Sequence, residues 1–274
     1  KKYAIYPLIM NIFTERSIEL ASQKDYLDQL FTIYPLSPDN IREIQKDVWK
    51  EIKNLYNKND NEALLKALLK LKLFPVKDSY VPFFRRDPSA ISRNPKTVNR
   101  ICGRVRELGL DNIYKRISEP KETNRQIGPL FKRWIDSGVL GLTPVSENDF
   151  LKNDNDAILS GSDTELKNFA KEHLNFERNN DKGFDFIGRF NKNYIIGEAK
   201  FITDEGGHQN DQFLDAVSIL DQKGRNDIIT VAILDGVLYI KSKKKMYKAI
   251  SEHNQNIMSA LMLRDFLYSL ECKK

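Results

Sequence analysis

Cysteine is scarce in this chain of 274 residues, which contains only Cys102 and Cys272. Two cysteines so far apart match no metal-ligand spacing, and they cannot form the framework of a disulfide-rich secreted fold. We therefore expect the protein to occupy a reducing, cytoplasmic setting.

Long apolar runs are also absent. No segment approaches the roughly 20 apolar residues that a membrane-spanning helix needs, so we expect no contact with a membrane. The apolar stretch at residues 3–13 is short, contains Pro7 and lacks a small-residue cleavage pattern, so we expect no signal peptide. At 41% hydrophobic residues, the chain has enough apolar side chains for one large domain or two modest ones.

Charge, in contrast, is plentiful and unevenly distributed. The whole chain carries a net charge of +6. Residues 85–133 alone hold 13 Lys or Arg against 5 acidic residues, a local +8 that leaves the remainder slightly acidic. Such a concentration of positive charge favours binding to a phosphate backbone. The alternative interpretation is a pair of basic helices whose charges are simply solvated.

Residues 183–201 predict a β-hairpin in which apolar residues flank a few charged ones. Side chains alternate between the two faces of a strand. On the first predicted strand, Phe184, Phe186 and Phe190 therefore share one face and Asp185 lies on the other. The hairpin thus carries an acidic residue among aromatic ones.

A turn centred on Asn191 and Lys192 places Asp185 opposite Glu198 on the second strand, where Lys200 shares the face of Glu198. Cross-strand neighbours have Cβ atoms roughly 5 Å apart, and like charges at that distance are destabilising. A divalent cation between the carboxylates is the simplest reason for the pairing. The alternative is a surface hairpin with solvated charges.

These residues resemble the pattern of the PD-(D/E)XK nuclease superfamily: an acidic residue on one strand, then Glu-x-Lys on the adjacent strand. The match is Asp185, a gap of twelve residues, and Glu198-Ala-Lys200, and the departure is Phe184 in place of proline. The resemblance implies an α/β (α+β) core, a central mixed β-sheet flanked by helices. It also implies that Asp185 and Glu198 hold Mg²⁺ and that Lys200 acts on the attacking water or on developing negative charge.

The segment before the hairpin, residues 161–173, predicts a helix with Ser162 or Asp163 as its N-cap. The resemblance implies that a glutamate on this helix reaches the metal. Glu165, in the first turn, is the better candidate, and Glu172 is the second. The alternative role for Glu165 is a favourable interaction with the helix dipole alone.

The segment after the hairpin predicts a glycine-punctuated loop, a helix, a buried strand at residues 227–234 and a short strand at residues 236–240. If the helix packs on the sheet, Gln209 and Gln212 lie at the mouth of the hairpin. Similar Gly-Gly-x-Gln segments follow Glu-x-Lys in some type II restriction endonucleases, and this resemblance implies that the glutamines orient phosphate or water. The alternative is a polar start to the helix.

The sequence divides near residue 150 into a mostly helical DNA-recognition region, 1–150, and a nuclease core, 151–274. Within residues 85–133, a turn at Asn94-Pro95 followed by a helix ending at Gly109 resembles a helix-turn-helix reader, whose second helix enters the major groove. Arginine suits guanine and asparagine suits adenine. The candidate DNA contacts are Arg93, Asn94, Lys96, Asn99, Arg100, Arg104, Asn124, Arg125 and Gln126.

A nuclease core joined to a DNA-reading region resembles the type II restriction endonucleases, which act as homodimers on specific double-stranded DNA sites. Two alternatives remain open on sequence alone. One is a structure-selective DNA repair nuclease or a transposon-associated one. The other is a non-catalytic helix-turn-helix regulator, although an intact Asp, Glu and Lys set argues against an inactive protein.

Overall fold

The computed structural model describes residues 10–36, 41–120, 126–178, 181–222, 224–252 and 254–271. Within these ranges the chain forms fourteen α-helices and one five-stranded mixed sheet, so the α/β fold class predicted from sequence is confirmed. In the same ranges, no helix combines the length and the apolar character that crossing a membrane would require.

The elements are named in chain order. The helices are α1 (Ile12–Ala21), α2 (Tyr26–Ile33), α3 (Lys46–Asn57), α4 (Asn61–Leu69), α5 (Val81–Arg86), α6 (Ala90–Arg93), α7 (Pro95–Leu108), α8 (Leu110–Ile117), α9 (Ile127–Asp136), α10 (Glu147–Leu151), α11 (Asp163–Leu174), α12 (His208–Val217), α13 (Lys245–Ser251) and α14 (Leu263–Ser269). The strands are β1 (Ala157–Ile158), β2 (Phe186–Phe190), β3 (Asn193–Ile202), β4 (Ile228–Gly236) and β5 (Ile257–Met258).

The chain divides into two compact units, a helical unit (Ser37–Thr123) and a sheet unit (Lys1–Leu36 with Asn124–Lys274). This division differs from the predicted boundary at residue 150. Helices α1, α2 and α9 belong to the sheet unit, because residues such as Leu30 and Phe131 join Ile195 of the sheet in one apolar core. Helical periodicity shows which face of a helix is buried, but not which core covers it.

The helical unit is built around its own apolar core, which includes Leu64 of α4 and Ile101 of α7. Helix α7 begins at Pro95, and Gly109 follows its last residue with a φ of 76°, as the sequence predicted. Val98, Ile101 and Val105 of α7 are buried, so these residues form the inward face of the helix. The helix before the turn, α6, is a single turn of four residues.

The sheet has the order β1-β2-β3-β4-β5. Strands β1, β2 and β3 are antiparallel neighbours, whereas β3, β4 and β5 run parallel. Asn191 and Lys192 form the β2–β3 turn with φ values of 48° and 62°, the left-handed geometry that suits a tight hairpin. Phe190 pairs with Asn193, so the predicted register is confirmed.

Two local expectations for the sheet were wrong. Strand β2 begins only at Phe186, and Phe184 packs in the cluster that contains Ile187, not with Phe186. The chain bends at Asp185 before it enters the strand. Just before this bend, Gly183 lies so close to the backbone of Asp163 that a Cβ would meet its carbonyl oxygen at 2.1 Å. Residues Val237–Tyr239 form a 3₁₀ turn where a short strand was expected, because Gly236, with a φ of 105°, ends β4.

Candidate active site

Asp185 and Glu198 meet at the ammonium group of Lys200. Phe186 pairs with Gly197, and the Asp185 N–H donates to the Gly197 carbonyl at 3.1 Å, so Asp185 lies beside Glu198 as predicted. The Lys200 Nζ atom lies 3.5 Å from Asp185 Oδ2 and also contacts Glu198 Oε1. One carboxylate directly before β2 and one on β3 therefore face the same cation.

The carboxylate pair is held in a buried environment. Asp185 Oδ2 accepts the Ala199 N–H at 2.9 Å, which fixes the orientation of this carboxylate relative to β3. Burial raises the pKa of Glu198, and the charge of Asp185 raises it further, while Lys200 and Arg178 act in the opposite direction. A buried carboxylate pair of this kind is stabilised by cations.

The electrostatics of Lys200 follow from the same contacts. Burial alone would lower the pKa of the ammonium group, but the neighbouring Asp185 and Glu198 carboxylates outweigh it, and the pKa is raised. Lys200 is therefore protonated when it faces the two carboxylates.

Sequence reasoning missed Arg178 and Asp215, which complete the charged cluster. The Arg178 guanidinium is buried and donates to Glu198 Oε2 at 2.8 Å and to Asp215 Oδ1 at 3.1 Å. Arg178 follows α11 in an irregular segment, and Asp215 lies on α12. Neither residue belongs to a periodic pattern or a motif, so no local signal in the sequence marks them.

Glu165 lines a pocket together with Asp185 and is also engaged locally. Ser162 is the N-cap of α11, and its N–H donates to Glu165 Oε2 at 2.6 Å in a capping box. This backbone hydrogen bond is the main cause that lowers the pKa of Glu165. Glu165 and Asp185 line one pocket of about 280 Å³, together with Lys132. Glu172, the second candidate, is exposed on the same helix and does not line that pocket.

The structure gives the two glutamine candidates contacts within their own segment. Gln209 is buried, and its Oε1 accepts the Thr203 N–H at 3.0 Å, so it closes the loop before α12. Gln212 contacts His208 Nε2 at 3.1 Å on the same helix. Their predicted interaction with phosphate or water stays a prediction.

The residues present fit a magnesium ion with a small set of protein ligands. In the part of the chain that the structure describes, no cluster of three or more His, Cys, Asp or Glu residues is arranged around a common point. Asp185 and Glu198 supply two convergent carboxylates. Mg²⁺ is usually bound by one or two carboxylates, with water and phosphate oxygens in its other positions, so this pair is sufficient.

The candidate DNA contacts in the helical unit are solvent-facing side chains, several of which have partners. Asp78 binds Arg100 at 2.6 Å and lies 3.6 Å from Arg104. Asn99 accepts a hydrogen bond from Asn61 at 2.9 Å. The remaining candidates divide as follows: Arg93 pairs with Asp87, Asn94 donates to the Ala90 carbonyl, and Lys96 is exposed.

Three further candidates do not belong to this group. Asn124 and Arg125 lie outside the described residues. Gln126 directly precedes α9 and so belongs to the sheet unit.

Comparison with known protein families identifies the chain. The model of the Tsp45I type II restriction enzyme family matches residues 11–270, and the chain belongs to that family. It is therefore a restriction endonuclease, a nuclease that acts on DNA, and the predicted resemblance to restriction endonucleases is confirmed. No curated protein and no solved structure matches the chain.

Proposed function

We propose that this restriction endonuclease hydrolyses phosphodiester bonds at a specific double-stranded DNA sequence in a Mg²⁺-dependent reaction centred on Asp185, Glu198 and Lys200. One observation carries the proposal. Two buried carboxylates, Asp185 directly before β2 and Glu198 on β3, converge on a single ammonium group, and like charges so close together are destabilising unless cations compensate them.

Asp185 and Glu198 are the residues that would hold Mg²⁺, and Glu165 is the proposed third acid, reached across the shared pocket. When bound, the ion lowers the pKa of a coordinated water and neutralises negative charge on the phosphate. The Ala199 N–H keeps Asp185 in a single orientation, so this ligand does not have to reorganise when the substrate arrives.

Lys200 is proposed to stabilise the negative charge that develops on the phosphate and to orient the attacking water. The two carboxylates raise its pKa, which favours a positively charged partner over a proton acceptor. A cation fixed beside the reacting phosphate is most effective in a site from which water is largely excluded.

Target recognition is assigned to the helical unit. Residues 37–123 contain 19 Lys or Arg and 12 acidic residues, a net charge of +7 that exceeds the +6 of the whole chain. Lys96, Asn99, Arg100 and Arg104 all lie on the exposed side of α7. We propose that this side contacts DNA, with the lysine on phosphate and the arginines and asparagine available to base edges.

The functional form is proposed to be a homodimer. The proposed centre has one Lys200 beside one carboxylate pair, and a double-stranded cut requires hydrolysis on both strands. Two copies related by a two-fold axis would present two such centres to a palindromic site. Sedimentation of the purified chain with and without a cognate duplex tests this assignment.

The experiment that tests the function is incubation of the purified chain with unmethylated phage DNA and Mg²⁺, beside an EDTA control. Glu198→Gln is the active-site variant, and Glu172→Gln, an exposed acid on α11, is the matched control. Discrete fragments from wild type and Glu172→Gln, and none from Glu198→Gln or with EDTA, support the proposal. Cleavage that persists in EDTA contradicts the Mg²⁺ dependence, and a smear contradicts site specificity.

A further inference from the structure

The guanidinium group of Arg178 is a buried charge with several partners. It donates from Nη1 to Glu198 Oε2 at 2.8 Å and to the Gly183 carbonyl at 3.1 Å. From Nη2 it donates to the Asp215 carbonyl at 2.8 Å and to the Asp215 carboxylate at 3.1 Å. A planar group with donors on both arms is suited to such a multiple contact, and an ammonium group is not.

These contacts join three segments around the proposed centre. Glu198 lies on β3, Gly183 lies two residues before Asp185, and Asp215 lies on α12. Arg178 therefore connects the segments that carry both proposed metal ligands and anchors them to a helix. Lys182 reinforces the anchor, because its Nζ atom lies 2.8 Å from Asp215 Oδ2.

The two oxygens of Glu198 have different partners. Oε2 accepts from Arg178, whereas Oε1 faces Lys200, which in turn lies 3.5 Å from Asp185 Oδ2. By occupying one oxygen, Arg178 leaves the other directed towards Asp185 and Lys200.

We infer that Arg178 is a positioning residue for DNA hydrolysis, which holds Glu198 so that Oε1 and the Asp185 carboxylate face the same point. The inference rests on the proposed role of Glu198 as a metal ligand. Residues that orient a metal ligand typically contribute roughly 10–100-fold to metal affinity or activity.

The chain offers a matched control in Arg189. Arg178 and Arg189 are both buried, with 7% and 2% of their surfaces exposed, and both lie in the sheet unit. Arg189 donates to the Asn155 and Phe150 carbonyls at 2.9 Å each and stacks on the Phe150 ring. Its contacts are of a structural kind, so its replacement reports the cost of losing a buried arginine.

The first test compares steady-state cleavage by Arg178→Met, Arg178→Lys and Arg189→Met, at a temperature where thermal unfolding shows each to be folded. Both Arg178 variants should lower kcat by roughly 10–100-fold with little change in KM for DNA. Lysine keeps the positive charge but cannot donate from two planar arms as a guanidinium group does, so Arg178→Lys should not restore wild-type kcat. Full activity of Arg178→Lys, or an equal loss of kcat in Arg189→Met, would overturn the inference.

The second test uses Mg²⁺ alone, without DNA, and measures the midpoint of thermal unfolding. An ion that binds the native state raises this midpoint. Wild type and Arg189→Met should show the Mg²⁺-dependent rise, and Arg178→Met should show a smaller one, because Mg²⁺ demands near-ideal ligand geometry. An equal rise of the midpoint in wild type and Arg178→Met would contradict the positioning role of Arg178 and leave the proposed magnesium site standing. No rise in wild type removes the proposed magnesium site and the inference with it.

Discussion

The two units of this chain differ in the solvent exposure of their candidate functional side chains. In the sheet unit, Glu198 has a side chain that is 5% exposed, and both of its oxygens are bound to buried or half-buried cations. In the helical unit, the side chain of Arg100 is 44% exposed, whereas that of its partner Asp78 is only 4% exposed. Glu198 is thus held between buried or half-buried cations, whereas Arg100 keeps much of its side chain in solvent.

This difference has an energetic meaning. Charges in a buried cluster interact strongly because little water screens them, and removing one member leaves an uncompensated charge. Exposed ion pairs contribute little to stability and can be exchanged for other partners, such as phosphates, at small cost. Substitutions in the buried cluster around Glu198 should therefore affect catalysis, whereas those on the exposed face of α7 should affect binding.

The largest expected effect is the loss of a carboxylate from the buried cluster. Glu198→Gln should reduce cleavage below detection, because the amide cannot supply the charge that a divalent cation requires. DNA binding, measured by mobility shift in EDTA, should be retained. Measurable cleavage by Glu198→Gln, or a loss of DNA binding with the fold intact, would break the comparison between the two units.

Lys200→Met should have the next largest effect. Removing a group that stabilises developing charge costs on the order of 10²–10³-fold in kcat. Single-turnover cleavage measures this step without contributions from product release. Lys66→Met, on the exposed side of α4, is the matched control and should leave the rate of the chemical step unchanged. A loss confined to KM would place Lys200 in binding and not in catalysis.

Glu165→Gln separates two roles of a single side chain. Glutamine can replace glutamate in a capping box, so the start of α11 should be preserved. If Glu165 also serves the metal site, cleavage should fall by at least the roughly 10–100-fold that losing a partner of a metal ligand costs, while the circular dichroism spectrum is unchanged. Wild-type cleavage by this variant would confine Glu165 to its capping role.

The sequence was most informative where structure is determined by neighbouring residues. The turn at Asn191 and Lys192 sets the hairpin register, and that register alone placed Asp185 beside Glu198. Capping by Ser162 and the end of α7 at Gly109 were predicted for the same reason. Each of these signals lies within a few residues of the feature it determines.

The remainder depended on contacts that are distant in sequence. Arg178 meets Glu198 and Asp215, which are 20 and 37 residues away, and no spacing rule connects three such segments. The division into units differs from the predicted boundary at residue 150 for a related reason, since an amphipathic helix such as α1 does not specify the core that it covers. The prediction that Phe184 shares a face with Phe186 was wrong because β2 begins only at Phe186.

A stability measurement extends the comparison beyond the active site. Asp235 is buried in the sheet unit, and burial raises its pKa from 3.8 to about 6, despite hydrogen bonds from Ser259, Tyr34 and the Ala260 N–H. Because the pKa of Asp235 is raised in the folded state, the contribution of this carboxyl group to stability is present below pH ~4 and is lost as the pH rises through ~6. Asp235→Asn has an amide oxygen that can accept from Tyr34 and the Ala260 N–H, and an amide nitrogen that can donate to Ser259 Oγ. This variant should gain about 2–3 kcal/mol relative to wild type between pH 4 and 7. Urea unfolding across this range measures the difference.

Asp78 of the helical unit should show the opposite pH dependence. Its pKa is lowered, chiefly by the hydrogen bond from Arg100, so its contribution is present above the ordinary pKa and lost as the pH falls. Asp78→Asn should therefore be destabilised at neutral pH, with the difference from wild type disappearing in acid. If the free energy of unfolding of Asp235→Asn and of Asp78→Asn, each relative to wild type, changed in the same direction with pH, the contrast between a desolvated acid and a paired one would be wrong.

The smallest expected effect concerns a single phosphate contact. Lys96 is exposed near the start of α7, and a lysine bound to phosphate adds affinity without selecting a sequence. Lys96→Ala should weaken binding about equally for cognate and non-cognate duplexes and reduce the salt dependence of log K by about 1. Lys66→Ala, an exposed lysine of the same unit that pairs with Glu62 at 2.6 Å, is the control.

Arg100→Ala in the same assay would instead weaken cognate binding selectively if Arg100 contacts a base edge, since a good base contact discriminates by about 1–3 kcal/mol. A uniform loss in both variants would assign this face of α7 to the DNA backbone and move sequence reading to another part of the chain.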